Sequence, residues 1–343
     1  SQLAESYYNV FNTVEAEKWY AKALETASDP EMVYNYSQML KANGKYEESN
    51  AQLGIFASMR PADHRATAFR DNPDYLPKIL EKGKKFNVQN LAINSEVSDF
   101  GGTLEGGKLY ITSARNSNRK TYGWNEEPFL DIYTANVNDE GEFQTPSIIE
   151  DNINTKYHEG TVSFSPDGNT MYFSRESYYE KIYERDPSTK YKISVLNIYK
   201  SVNQEGKWSE AEALSINGDS YSVKNPSVSA DGKTLYFASD KTGGYGKFDI
   251  YSAPIDENGS VGDPSNLGQK LNTEGQEMFP FISSNNTLYF SSNGHLGLGG
   301  LDVFFAKVID GKVGPVRNIG IPVNGNADDF AFSINEETEE GFV

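Results

Sequence analysis

The sequence predicts an α+β multidomain chain. A helical domain covers 1–85, and an all-β propeller covers 86–343. Three observations carry this. Residues up to about 85 place apolar side chains at helical spacing. Beyond them one phrase recurs, clearest from Asn225 through Asp231-Gly232 to Leu235-Tyr236-Phe237, in which an extended stretch meets a turn and returns as a strand. A short opening tag precedes each copy, at Ile93-Asn94, Ile153-Asn154, Ile216-Asn217, Leu271-Asn272 and Val323-Asn324, with its asparagines 60, 63, 55 and 52 residues apart. A period of that size with four short strands per unit means a propeller.

Composition narrows the function. With 31 Lys+Arg against 49 Asp+Glu, the net charge of −18 argues against nucleic acid or anionic lipid as the main partner. The 22 Tyr and 19 Phe suit an aromatic-rich β core. The absence of cysteine excludes disulfides, cysteine catalysis and a Cys-based zinc site. No stretch approaches the ~20 apolar residues of a membrane span.

In the helical part, Ala16, Tyr20, Ala23 and Leu24 share one face. Asp29-Pro30 starts a further helix carrying Tyr36, Met39 and Leu40; Asn43-Gly44 breaks it, and Tyr46, Leu53 and Phe56 lead to Pro61. A third, imperfect unit runs from Asp63 to Gly83, disturbed at Asn72-Pro73 and Leu76-Pro77. Gly44, Tyr46, Ser49 and Pro61 make the spacing resemble tetratricopeptide repeats. Two readings stand open: a concave surface that grips a partner, or a brace packed on the propeller.

In the β part, the Asp-Gly turns at Asp167-Gly168 and Asp231-Gly232 predict hairpins with positive φ at both central residues. The second unit reads as strands at Gly160–Ser165, Met171–Ser174, Leu196–Lys200 and near Ala211–Leu214. Five blades are expected. Phe86 to Leu91 matches an outermost strand by position, so it is expected to complete the last blade and close the ring. That blade shows only an inner strand, about Asp328–Ile334, and the start of a second at Phe342-Val343. A fragment of a longer protein, truncated at both ends, is therefore expected.

Asp131, Asn197, Asp249 and Asp302 before the third strands, and Ser113, Ser174, Ser239 and Ser292 at the ends of the second, recur in each blade and read as scaffold. Asp99, Glu159, Glu277 and Asp328 near the starts of the innermost strands would form an acidic rim at the channel mouth, a place for a hard cation or a ligand. No calcium-loop spacing accompanies them, and no metal, cofactor or catalytic residue is assigned. His64, His158 and His295 sit in unrelated contexts, and no Gly-x-Ser-x-Gly elbow occurs. The glycine-rich runs 243–246 and 294–300 read as tight turns between second and third strands, with no helix after them to cradle a phosphate. The same connections in blades 1 and 2 are long, Arg115–Phe129 and Glu176–Lys192, and carry Tyr122, Trp124, Tyr178, Tyr179, Tyr183 and Tyr191. Aromatics on adjacent loops suit a protein interface.

Together Asn94 to Phe100, Ile153 to Gly160, Asp231 to Asp240, Gly299 to Val303 and Asp328 to Phe332 resemble the PorE-like periplasmic proteins of Bacteroidetes. These join tetratricopeptide repeats, a TolB/WD-like propeller, a carboxypeptidase-regulatory-like fold and an OmpA-type peptidoglycan-binding domain. The resemblance implies five blades, a periplasmic, outer-membrane-associated address, and a non-enzymatic scaffold of type IX secretion or gliding. Its partner would be an outer-membrane β-barrel of the PorP/SprF type or another secretion component. Peptidoglycan would be reached only through domains absent from this chain. The alternative is a ligand-binding, glycan-binding or hydrolytic propeller that uses the acidic rim.

Overall fold

The structure is a computed structural model describing residues 2–149, 152–188 and 190–343. Among these residues the first part forms α1 (Gln2–Asn9), α2 (Thr13–Leu24), α3 (Pro30–Ala42), α4 (Tyr46–Met59), α5 (His64–Asp71) and α6 (Tyr75–Leu80). Local chemistry sets the boundaries. Asp29 caps α3 by accepting the Met32 N–H at 2.9 Å, with Pro30 at the first helical position. Asn12 and Asp63 cap α2 and α5 in the same way. The break at Asn72-Pro73 separates α5 from α6, because a proline restrains the residue before it to extended backbone.

Consecutive helices from α1 to α5 pack on one another, burying Ala16, Tyr20, Met39, Leu40, Leu53 and Phe56. Each large apolar side chain buried in this way contributes about 1.5–3 kcal/mol. One charge is enclosed with them. Arg65, its side chain 4% exposed, donates to both oxygens of Glu31 at 2.8 Å and to Asp63 at 2.8 Å. Its guanidinium also lies 4.2 Å from the centre of the Tyr34 ring, so its hydrogen bonds and its flat face are both used.

The second part is built of antiparallel sheets whose strands follow chain order from the inside outward. Blade 1 holds Asp99–Glu105, Lys108–Ser113, Asp131–Asn136 and Ser147–Ile148. Blade 2 holds Glu159–Phe164, Thr170–Glu176, Leu196–Gln204 and Glu212–Ala213, with Lys207–Trp208 as a hairpin extension. Blade 3 holds Val223–Val228, Thr234–Ser239, Asp249–Pro254 and Ser265–Asn266. Blade 4 holds Glu277–Ile282, Thr287–Ser292, Asp302–Ile309 and Arg317–Asn318. The Leu-Tyr-Phe strands are buried on both faces, since each sheet is covered by its neighbours.

Two expectations change here. Among the described residues four blades are complete, not five; the fifth unit is a two-stranded sheet, Ser333–Asn335 with Glu340–Phe342. Residues 86–91 form no strand. An outermost strand pairs with a third strand, and the fifth sheet offers none. The segment closes the ring through side chains instead. Phe86 meets Phe332 at 5.9 Å, while Leu91 and Ile93 pack with Phe342 onto blade 1. Ser333 Oγ donates to Gly102 O at 2.8 Å across the same seam.

The hairpin turns also differ from expectation. In Ser165–Gly168 and Ser229–Gly232 the last N–H returns to the first carbonyl at 2.9 and 2.8 Å, and positive φ falls on the glycine but not on the aspartate. Asp167 and Asp231 instead accept from the serine hydroxyl and from the N–H two residues on. These are four-residue turns with a carboxylate strap, not two-residue turns.

One backbone feature recurs around the axis. Gly101, Thr161, Asn225, Phe279 and Ala331 have φ between 38° and 69°. The first four interrupt the register of an innermost strand. Non-glycine residues adopt this conformation at a cost of roughly 1–2 kcal/mol, so its repetition points to a geometric need. The bulges bend the inner strands where five units converge. They surround a cavity of about 60 Å³. Phe100, Phe279 and Phe330 pack together beside it, with ring centres 4.9 to 6.3 Å apart.

The helical domain lies on the propeller as a brace. Tyr34 donates to Asn293 O at 2.6 Å, Tyr46 to Leu298 O at 3.1 Å, and Asn326 to Ala42 O at 2.9 Å. Tyr75, Ile79 and Leu298 share one apolar cluster. Lys41 is enclosed at this contact, donating to Gln38 at 3.0 Å, and burial pulls its ammonium down to about 8.

Candidate functional site

The repeated polar residues hold the fold. Each tag asparagine from the second unit onward binds the third strand of the blade before it. Asn154 accepts the Ile132 N–H at 2.7 Å and donates to its carbonyl at 2.9 Å. Asn217 does the same to Ile198, Asn272 to Ile250 and Asn324 to Val303. A side-chain amide here replaces a peptide group of a neighbouring strand. Asp249 accepts the N–H groups of Tyr245 and Gly246, and Asp302 those of Leu298 and Gly299, so these carboxylates organise the turns.

The rim carboxylates are taken up by the same kind of bonding. Asp99 accepts from Ser95 N at 2.5 Å, Ser95 Oγ at 2.7 Å and Arg115 at 2.6 Å. Burial raises its carboxyl, but these donors outweigh burial and hold it below the usual range. Glu159 accepts from Thr155 N and Oγ1 at 2.9 and 2.6 Å and lies 3.3 Å from Arg175 Nε; burial pushes its carboxyl up. Glu277 accepts from Thr273 N, Thr273 Oγ1 and Ser292 Oγ, with burial raising it to about 7. Asp328 accepts from Leu301 N at 2.7 Å and is raised by burial to about 6.

The residue in register with the first three is Asp329, which reading the sequence missed. Asp329 accepts from Gly325 N, four residues back, as Glu159 does from Thr155 and Glu277 from Thr273. Its own N–H binds Leu301 O, matching Glu159 to Leu130 and Glu277 to Phe248. The five-residue offset from the tag asparagine was the available signal. None of the four rim carboxylates lines the axial cavity. Among the described residues no three carboxylate or imidazole groups come together in a way that could hold a metal ion.

The histidines are separate as well. His64 Nδ1 lies 2.9 Å from Glu274, joining α5 to blade 4. His158 packs edge-on to Tyr122 at 4.6 Å, and Nδ1 accepts the Leu130 N–H. His295 Nε2 lies 2.8 Å from Leu271 O. Burial lowers both His158 and His295 to about 4, so both are neutral near pH 7.

The long loops divide between inward and outward aromatics. Tyr122 packs on Phe129 and His158. Trp124 is 54% exposed, yet its indole N–H reaches Asn9 O at 3.1 Å, so the blade 1 loop meets the helical brace. In blade 2, Tyr178 and Tyr183 stack at 5.1 Å, while Tyr179 and Tyr191 are exposed. The same loop and its neighbour form a second, larger concavity, walled by Tyr157, Tyr178, Tyr179, Tyr183 and three lysines.

No protein-family model matches this chain, and no curated protein matches it. Solved structures do. A TolB candidate from Agrobacterium tumefaciens is 17% identical, covering 65% of this chain and 66% of its own, with a TM-score of 0.39. TolB from Acinetobacter baumannii is 14% identical over 61% of this chain and 41% of its own, with a TM-score of 0.36. An alpha-L-arabinofuranosidase from Lactobacillus brevis is 13% identical over 71% of this chain and 80% of its own, with a TM-score of 0.40. The chain thus spans 66% and 41% of the lengths of the two TolB structures. No helix among the described residues is long and apolar enough to cross a membrane.

Proposed function

We propose that this chain is a non-enzymatic scaffold that docks another protein through the long loops of blades 1 and 2. The observation that carries this is the contrast between an occupied interior and exposed loops. The axial cavity, about 60 Å³, falls well below the ~300–1,000 Å³ of small-molecule sites, which disfavours a ligand or glycan in the channel. Asp99, Glu159, Glu277 and Asp329 already accept hydrogen bonds within their own turns, and Asp328 accepts one from Leu301. Trp124, Tyr179 and Tyr191 are exposed on loops anchored by rigid sheets, an arrangement that suits an interface hot spot. The finer reading follows the sequence resemblance: tetratricopeptide-like helices, a periplasmic address, and an outer-membrane β-barrel of the PorP/SprF type as partner.

The test is co-purification from solubilised outer membranes with the wild-type chain and a Trp124→Ala, Tyr179→Ala, Tyr191→Ala variant. A barrel retained by the wild type and lost by the folded variant is expected. Equal retention by both, or no barrel with either, overturns the reading.

A further inference from the structure

At the loop end of blade 2 lies a concavity of about 520 Å³. That is within the ~300–1,000 Å³ of small-molecule sites. Its floor is aromatic and ordered by ring contacts. Tyr178 and Tyr183 stack at 5.1 Å with 24° between their planes, and Tyr157 stands edge-on to Tyr178 at 4.9 Å. Tyr179 completes the wall. The remaining lining residues are Lys156, Lys181 and Lys192, with no carboxylate among them.

This is unusual placement in a chain of net charge −18. None of the three ammonium groups has a carboxylate within 4 Å among the described residues. Lys192 is held in place without one: it donates to the Tyr178 hydroxyl at 3.0 Å and sits 4.2 Å from the centre of the Tyr183 ring. Lys156 lies 5.4 Å from the centre of the Tyr157 ring. The cup therefore offers the exposed Tyr179 ring, phenolic hydroxyls and positive charge with no carboxylate partner together.

We propose that this cup binds a short acidic carbohydrate, an oligosaccharide carrying uronate-type carboxylates. The apolar face of a pyranose ring fits against the exposed Tyr179 ring. Phenolic hydroxyls both donate to and accept from sugar hydroxyls. The lysines take the carboxylates through charge-assisted bonds. The acidic surroundings repel long polyanions such as nucleic acid, while three local charges suffice for a short one. The cup shares Tyr179 and the blade 2 loop with the proposed docking surface, but saccharide binding by the isolated chain is read without any protein partner and so fails or holds separately from the scaffold reading.

The experiment is calorimetric titration of the full chain with trigalacturonate, with neutral maltotriose and citrate as comparison probes. Saturable binding of trigalacturonate, at least about tenfold tighter than either comparison probe, is expected. It should weaken several-fold between about 20 and 300 mM NaCl as charge is screened. Lys181→Ala with Lys192→Ala should weaken it at least about fivefold, and Lys156→Ala alone, further round the wall, should weaken it less. Circular dichroism confirms that the variants are folded. No saturable heat up to about 10 mM, equal affinity for maltotriose or citrate, or an unchanged double-lysine variant each overturns the proposal.

Discussion

Blades 3 and 4 and blades 1 and 2 share one sheet plan but treat the connection between second and third strands in opposite ways. In blades 3 and 4 it is a glycine-rich turn pressed against the next unit. A Cβ on Gly246 would collide with the carbonyls of Thr273 and Gly275, and one on Gly299 with those of Ala327 and Gly325. In blade 4 the same turn also receives the helices. In blades 1 and 2 the connection grows into an aromatic loop, and a Cβ on Gly123 would meet nothing within 4 Å. The difference teaches that the turns of blades 3 and 4 sacrifice side chains for close approach, while the blade 1 and 2 loops have room for aromatics, some packed and some, such as Tyr179 and Tyr191, exposed.

The sharpest way to break this comparison is to put bulk on each side of it. Gly299→Val should destabilise the chain by about 2–3 kcal/mol in urea unfolding, because backbone carbonyls block the new side chain and cannot swing aside. Gly123→Val should stay within about 0.5 kcal/mol. Equal effects would end the distinction. Asn272→Ala should cost about 2 kcal/mol, since it leaves the buried Ile250 N–H without its acceptor. Asn94→Ala, whose amide clasps no earlier blade, should cost far less.

A pH profile sharpens the picture inside blade 4. Burial raises the Glu277 carboxyl from its ordinary 4.5 to about 7. Between those values the folded state keeps a proton that the unfolded state has lost, so stability falls as pH rises through this window and levels off above it. Asp302, Asp328 and Asp329, also raised by burial, add slopes of the same sign, so Glu277→Gln should make the slope shallower without abolishing it; an unchanged slope in denaturant midpoints measured from pH 4.5 to 7 would refute it. The smallest effect belongs to the open half. Trp124→Ala should move stability by under about 1 kcal/mol, read by urea unfolding, despite its bond to Asn9.

The sequence made the strands legible because apolar pairs such as Tyr236-Phe237 must be buried on both sides, and few arrangements permit that. Helix starts were legible because Asp29-Pro30 leaves little else to do. The state of residues 86–91 was not, since positional analogy says nothing about whether a pairing edge exists. Asp328 and Asp329 stand side by side, and in the sequence only the five-residue offset from the tag asparagine singles out Asp329, a signal that becomes plain once its bond to Gly325 is seen. The lysine-tyrosine cup left no trace in local charge. Glu176, Glu180, Glu184 and Asp186 offset Lys181, Arg185, Lys190 and Lys192 along the loop, and Lys156 comes from another strand connection altogether. Folding sorts these charges in space in a way their order does not record.

The tag asparagines carry a mechanical consequence. Each of the four later tags latches its unit to the blade before it through a paired amide, so load applied to any one blade is shared with its predecessor. The joint between the fifth unit and blade 1 has no such latch among the described residues and rests on Ser333, Phe342 and the rings packed around them. Under tension between its ends, the ring parts there first, while each blade keeps its strands.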